Sequence, residues 1–443
     1  MPHTLRAVLA LTGLNMLLGG SVSALTLTES LELARQNNPQ LLATRSGVTS
    51  SAEQLKQAES GFYPDVDASA NFSNVNREFS GGTESKSHPK KYGVTVTQDI
   101  FKGFGTLASA RSARNTLKAS EAELLIQEQT VFLAAVQAYI DVLRDIDVLK
   151  LNAYQVEVLG KQLKATKSRY DLGEVTQTDV QQAEARLAAA QAEMVDAEGN
   201  LVTSRATFEE VIGVEPDSLS WPVLDFALPD TAEDAMAKAL SEHPSIMQAL
   251  AVLAAQKYAV EGAKSNYYPT VSAQAALEKN IDASGGVNGD FDNRSISLNL
   301  SVPLFRGGEN VSLVRQSIAE RERAEQDYQN IRRAIKRELV DAHNAYRTAL
   351  ARQTALNNAV EANRLALRGV EKEAEVGSRT VLDVLDAREE YLSTQVDLTS
   401  AKRDSQVSAF RLKAAMGELT GVYLKNLLSA VAEDAVEEGT TDE

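Results

Sequence analysis

Two acidic residues, Asp383 and Asp386, stand three positions apart in a stretch that has the pattern of a turn entering a helix. The stretch is Val376-Gly-Ser-Arg-Thr-Val-Leu-Asp-Val-Leu-Asp386. A helix places such a pair on one face, one residue above the other. Several copies of this pair brought together would attract cations. In a single helix the same pair is an ordinary solvated feature, so the rest of the chain must decide between the two interpretations.

Other residue types offer little chemistry. The chain has no cysteine, and its four histidines, His3, His88, His243 and His343, are scattered along the sequence and predict no metal cluster. The glycine pairs lack the lysine and the strand–helix context of a phosphate loop. No order of Ser, His and Asp resembles a catalytic triad. We therefore expect no enzyme, no metal and no cofactor.

The acidic stretch has an earlier copy, Leu172-Gly-Glu-Val-Thr-Gln-Thr-Asp-Val180. The matched positions are Gly173 with Gly377, Asp179 with Asp383, and Gln182 with Asp386. The sequence thus predicts two similar turns, of which only the second is followed by two acids three positions apart.

The chain as a whole consists of two copies of one unit. Four pairs of landmarks recur 204 or 205 positions apart: Asn38-Pro39 with His243-Pro244, Tyr63-Pro64 with Tyr268-Pro269, Phe101-Lys-Gly103 with Phe305-Arg-Gly307, and Ile212-Gly213 with Met416-Gly417. A period this long indicates a duplicated domain rather than a solenoid. We predict a first repeat over residues 25–229 and a second over 230–428. An acidic tail, 429–443, is expected to be disordered.

Each repeat is expected to begin with two helices and a strand pair. The helices run over 27–36, with Thr28 as the cap, over 39–62, from 230 or 231 to 241, and over 244–267. Alternation of apolar and polar residues then predicts strands near 66–72, 92–100, 271–278 and 296–304. Each strand has one apolar and one polar face, and the hairpins are long enough to cross a bilayer when tilted.

Very long helical patterns follow, over 106–171 and 310–375, without a proline in either. At 1.5 Å per residue each would be about 100 Å long, which indicates a coiled coil or a helical tube. A heptad frame over 142–170 supports this interpretation. After the turns, return helices of about half that length follow, with seams that begin at Val180 and Val384. The helix over 39–62 roughly supplies the missing length, so we infer one continuous and one broken helical rod in each repeat.

The N-terminus indicates an exported protein, and the net charge indicates one that does not bind polyanions. Residues 1–24 have a basic start, an apolar run and a small-residue cleavage site, and are predicted to be a secretory signal peptide. A net charge of -16 argues against nucleic acid as a partner. The remaining alternatives are an outer-membrane protein whose strands cross the bilayer and a soluble periplasmic coiled-coil adaptor or structural protein.

The sequence resembles the TolC family of outer-membrane channel proteins. The residues that carry the resemblance are the landmark pairs above, Arg169-Tyr-Asp-Leu-Gly173, Thr178-Asp-Val-Gln181, Val302-Pro-Leu-Phe-Arg-Gly-Gly308 and Val376–Asp386. It implies a mainly α fold with a small β part. Three chains would form an α-barrel in the periplasm, joined to a shared twelve-stranded β-barrel in outer-membrane lipid. It further implies a homotrimer that docks to a periplasmic adaptor and an inner-membrane transporter, as a passive duct for efflux or type I secretion.

The resemblance also assigns roles at the turns. Asp383 and Asp386 would line the periplasmic entrance as acidic rings, and Arg379, Thr178 and Asp179 would make contacts that hold the entrance shut. A tyrosine common in the family three residues before the turn glycine Gly377 is replaced here by Ala374, so part of that lock is expected to be weaker or arranged differently. Mutual repulsion in such rings is expected to raise some carboxylate pKa values.

Overall fold

The computed structural model describes residues 25–421, except 79, 82, 83, 224, 225, 227, 230 and 283–288. The predicted signal peptide and the predicted tail lie outside these residues. Within them, no helix has an apolar stretch that could cross a membrane.

The two repeats share one order of elements. The described helices are α1 (Leu27–Asn37), α2 (Pro39–Ser60), α3 (Gly105–Asp171), α4 (Gln177–Ile212), α5 (Ala232–Glu242), α6 (Pro244–Ser265), α7 (Glu309–Glu375) and α8 (Val381–Ala415). The strands are β1 (Asp65–Phe72), β2 (Val75–Glu78), β3 (Glu84–Ser87), β4 (Lys90–Lys102), β5 (Thr270–Ile281) and β6 (Phe291–Ser301). The long helices α3 and α7 have 67 residues each. They begin one residue before the predicted positions and end where predicted.

A sharp reversal between strand and long helix depends on glycine. Gly103 has φ 59, and a Cβ on it would lie 2.5 Å from the carbonyl oxygen of Ser265, which no side chain tolerates. Gly307 and Gly308 have φ 57 and 88 before α7. In the first repeat Phe104, with φ 66, occupies the position that matches Gly308. The chain can therefore turn directly from the sheet into each long helix.

The four long strands form one antiparallel sheet in the order β1-β4-β5-β6. Their register aligns like residues in rows across the sheet. One row is Val66, Val96, Ala275 and Ile296, and the next is Asp67, Thr95, Ala276 and Ser295. The sheet therefore has one mostly apolar and one mostly polar face, as predicted. Within the described chain, its outer strands β1 and β6 each have one free edge and are exposed along their whole length.

In both repeats, the return helix meets the second helix of the repeat end to end: α4 meets α2, and α8 meets α6. The Asn38 side chain caps α2 by accepting from the Gln40 amide at 3.1 Å, and it donates to the Val211 carbonyl near the end of α4 at 3.1 Å. The broken rod inferred from helix lengths is thus present: α2 and α4 both pack along α3.

His243 occupies the corresponding junction in the second repeat. Its Nδ1 accepts from the Ser245 amide at 3.2 Å and so caps α6. A Cβ on Gly417, just beyond α8, would lie 2.9 Å from the His243 Cα, so the two helix ends are in close contact. Burial lowers the pKa of His243 to about 4. The ring therefore stays neutral at physiological pH and can act as a hydrogen-bond acceptor.

The main hydrophobic core surrounds the middle of α3, where α1, α4 and α8 meet it. Its largest buried side chains include Phe132, Tyr139, Ile140, Phe208 and Ile212. The Tyr139 hydroxyl lies 2.8 Å from the carbonyl oxygens of Leu25 and Ser220. The Trp221 Nε1 donates to Asp147 at 2.9 Å. These bonds hold the linker between the repeats against the helices.

Two details of the helices differ from the sequence-based predictions. The first helix is capped by Thr26 rather than Thr28, because Thr26 and Glu29 form a reciprocal capping box with distances of 2.8 and 3.2 Å. The heptad frame is also wrong in the outer half of α3, where the buried positions are Asn152, Gln155, Leu159 and Thr166. Asn152 donates to the Glu193 carbonyl of α4 at 3.5 Å, so that a polar side chain of α3 is buried against the α4 backbone there.

Candidate functional site

A tight turn of five residues, Leu172–Thr176, joins α3 to α4. The Gly173 amide donates to the Tyr170 carbonyl at 2.8 Å, and the Glu174 amide donates to the Arg169 carbonyl at 2.9 Å. This is a Schellman ending, which needs a residue of positive φ, and Gly173 has φ 76. The corresponding bonds of the second turn join Gly377, with φ 80, to Ala374 at 3.1 Å and Ser378 to Glu373 at 2.9 Å. Both turn glycines are thus required by backbone geometry.

Each turn is followed immediately by a capping box. The Thr380 amide and hydroxyl both donate to Asp383 Oδ2, at 2.9 and 2.8 Å, and the Thr380 Oγ1 accepts from the Asp383 amide at 3.2 Å. Thr176 and Asp179 make the same three bonds, at 2.8, 2.8 and 3.3 Å. Asp383 and Asp179 are therefore structural residues that fix the first turn of α8 and α4.

These bonds change the expected electrostatics of the two aspartates. The pKa of Asp383 is lowered, first by the hydrogen bond from the Thr380 amide and then by that from its hydroxyl. The pKa of Asp179 is lowered mainly by the Thr176 hydroxyl and then by the Thr176 amide. In the single chain, these hydrogen bonds thus lower the pKa of Asp383, whereas the raised carboxylate pKa values expected for rings of several chains stay a prediction. Because its charged form is favoured, Asp383 remains an anion at neutral pH.

Asp386 is paired across the two repeats. Its Oδ1 accepts from Arg186 Nη2 on α4 at 2.7 Å. Arg186 Nη1 contacts the carboxylate of Glu389, which lies three residues after Asp386 on α8. The sequence-based reasoning did not identify Arg186 or Glu389. A signal was present, since Arg186 and Arg205 are the two basic residues of α4, while Asp386 and Glu389 stand three apart on α8.

The structure does not bring together Arg379, Thr178 and Asp179 within one chain. Arg379 Nε pairs with Glu373 Oε2 at 2.9 Å, inside its own turn, and Asp179 is engaged by Thr176. Thr178 is exposed in the first turn of α4. Arg379 and Asp179 nevertheless line the same open cleft, of about 540 Å³, which separates the two turns. Ala374 also lines this cleft.

A small apolar cluster supports the site above the turns. Leu385 of α8 is buried against Leu159 of α3 and Ala190 of α4, with Val156, Leu187 and Val381 around them. Ion pairs hold each helix hairpin together at this level. Lys167 pairs with Glu184 at 2.7 Å between α3 and α4, and Arg388 contacts Glu371 between α8 and α7. The tip therefore consists of two firm hairpins that meet at Leu385 and Arg186.

A family model described as outer membrane efflux protein matches the chain twice, over residues 30–214 and 235–418. The chain belongs to the outer membrane efflux protein family. The resemblance inferred from the motifs is thereby confirmed, together with the outer-membrane location. This family consists of channel proteins rather than enzymes.

Individual relatives agree with the family assignment. The outer membrane efflux protein BepC of Brucella suis is 30% identical over 418 residues, covering 94% of this chain and 91% of BepC. The outer membrane protein TolC of Vibrio cholerae is 27% identical over 413 residues, covering 91% and 93%. The crystal structure of the Campylobacter jejuni CmeC outer membrane channel superposes with a TM-score of 0.79 at 20% identity, covering 89% and 86%. The fold class predicted from the sequence is therefore confirmed.

Proposed function

We propose that three copies of this chain form a passive exit duct through the outer membrane for a tripartite efflux or type I secretion system. The observation that carries this proposal is the four-stranded sheet with an apolar face and two free edges. A free edge in lipid would leave backbone groups unpaired, so such a sheet has to be closed by neighbours. Three sheets supply twelve strands, and their apolar faces would contact the outer-membrane lipid.

The partners follow from the passive character of the duct. Nothing in a tunnel of helices supplies energy, so cargo must be driven by an inner-membrane transporter, and a periplasmic adaptor must bridge the gap to the turns. The net charge of -16 disfavours nucleic acid as cargo or partner. Enzymatic activity has no place in this proposal.

The two turns would form the periplasmic entrance of this duct. Asp383 and Asp386 would contribute acidic rings, and the lowered pKa of Asp383 supports a permanent negative charge there. Arg379, Thr178 and Asp179 would hold the entrance shut through contacts between neighbouring turns. The cleft that Arg379 and Asp179 share supports this arrangement, since one side chain entering it could reach both turns.

The assembly can be tested on the purified protein. We expect heat-modifiable trimers in the outer-membrane fraction that form ion-conducting pores in planar bilayers. The Arg379→Ser variant is expected to conduct more than the wild type, because one contact of the lock is lost. A monomer that is soluble without detergent and forms no pores would contradict the proposal and would favour a soluble periplasmic adaptor.

A further inference from the structure

The two helix hairpins of each chain, α3/α4 and α7/α8, are joined by few charged contacts. In the part of the chain that the structure describes, the ion pairs between these hairpins are those of Arg186 with Asp386 and Glu389, and that of Arg403 with Asp141. Lys167–Glu184 and Arg388–Glu371 lie within single hairpins. A movement of one hairpin against the other would therefore break the first group and leave the second intact.

The two connections differ in position and in burial. Arg403 holds Asp141 through two nitrogen atoms, at 2.8 and 3.3 Å, close to the central core, and both side chains are about three-quarters buried. Arg186 is the tenth residue of α4, near the turns. Its partners Asp386 and Glu389 are more than half exposed. Because buried forked pairs are firmer than exposed ones, the Arg403 pair can act as a pivot while the Arg186 pairs open.

The duplication does not reproduce the Arg186 contact. The second-repeat position that matches Arg186 is Glu390, and the first-repeat positions that match Asp386 and Glu389 are Gln182 and Ala185. Each chain therefore has one such bridge, directed from the first repeat to the second. A single bridge per chain gives a trimer three equivalent contacts around the entrance.

We propose that Arg186 is a positioning residue that couples the width of the entrance to its charge. This inference rests on the proposed function. In the structure, one guanidinium holds the hairpins together and compensates Asp386 and Glu389. When α7/α8 moves away from α4, the two carboxylates lose this partner and their negative charges are no longer compensated. The open entrance is then both wider and more attractive to cations than the closed one.

The first test measures the distance between the hairpins directly. The chain contains no cysteine, so spin labels can be placed at the exposed positions of Ala188→Cys on α4 and Glu390→Cys on α8. Trimers diluted with unlabelled chains give one labelled pair each for pulsed EPR. We expect a short distance at low salt and a longer or broader one at 1 M salt, where exposed pairs are screened. In the Arg186→Gln background the long distance is expected at both salt concentrations.

The second test uses pore currents. Arg186→Gln is expected to raise the ratio of open to closed pores by about two- to tenfold, the range set by weak exposed ion pairs, and to increase the preference for cations. Adding Asp386→Asn and Glu389→Gln is expected to remove the gain in cation preference without closing the pore. Arg205→Gln changes an exposed arginine of the same helix and is expected to behave as the wild type.

The possible results separate the two proposals. If wild-type and Arg186→Gln proteins give the same label distances at both salt concentrations, Arg186 holds nothing and the inference is overturned, whether or not the pores conduct. If the distances change as expected while the wild type conducts no ions, the role of Arg186 in holding the hairpins together is supported and the proposed function fails. Equal ion preference in Arg186→Gln and wild-type pores would refute the link between width and charge.

Discussion

The junction at His243 makes stability depend on pH in a defined range. In the unfolded chain a histidine has a pKa near 6.5, whereas burial holds that of His243 at about 4 in the folded protein. The free energy of unfolding is therefore unaffected by protonation of His243 above about pH 6.5. It decreases as the pH falls towards 4, because the unfolded state takes up the proton first. These two values correspond to a loss of about 2 kcal/mol per chain between pH 7 and pH 5.

The assay compares thermal unfolding of wild type and His243→Asn at pH 7 and pH 5. Asparagine already caps the matching junction at position 38, so the variant is expected to fold and to lose less stability than the wild type over this range. Other groups titrate in both proteins and cancel in the difference. His88→Asn, which changes an exposed histidine of the first hairpin, is the control and is expected to follow the wild type. The same pH dependence in His243→Asn and wild type would refute the reasoning.

Two further predictions concern the turns. Gly377→Ala is expected to lower the melting temperature, with a loss of about 1 kcal/mol in the free energy of unfolding. The loss comes from the positive φ alone, since a Cβ at this position meets nothing within 4 Å. Gly47→Ala, in the interior of α2 with equally open space, is expected to raise it by a similar amount, and a fall in both variants would contradict the backbone argument. Thr380→Val removes the hydroxyl that caps α8 and is expected to cost about 1 kcal/mol. Faster amide hydrogen exchange in the first turn of α8 would show this loss. Thr380→Ser is expected to keep the slow exchange of the wild type. Equal exchange in all three proteins would show that the cap is dispensable.

The long helices could be predicted almost to the residue because glycines mark their ends. Gly103, Gly173, Gly307 and Gly377 have positive φ at the boundaries of α3 and α7. By contrast, β2 and β3 were not predicted, because 75–78 and 84–87 contain almost no apolar residue and so carry no alternation. They pair with each other beyond the main sheet, where backbone hydrogen bonds suffice.

The candidate site was predicted in position but not in detail. The spacing of Asp383 and Asp386 correctly placed both on the first turns of α8. It did not distinguish them, although the box formed with Thr380 is visible in the sequence as a threonine three residues before an acid. The partner of Asp386 could not be predicted, because Arg186 is 200 residues away and a lone arginine among alanines is typical of a solvated helix surface. The packing of Leu385 brings α8 close to α3 and α4. The local sequence around Leu385 does not predict this contact.

The end-to-end contact of α2 and α4 also constrains how channels of this architecture can change length. These helices have 22 and 36 residues beside the 67 of α3. One residue inserted into α3 would displace everything beyond it by 1.5 Å and rotate it by about 100°. The seam with α4 would then be lost unless an insertion in α2 or α4 compensated for it. The junction at Pro39 is the place where a mismatch can be absorbed, since no helical hydrogen bonds cross it. We therefore expect insertions in homologous channels to come in matched pairs, one in each rod.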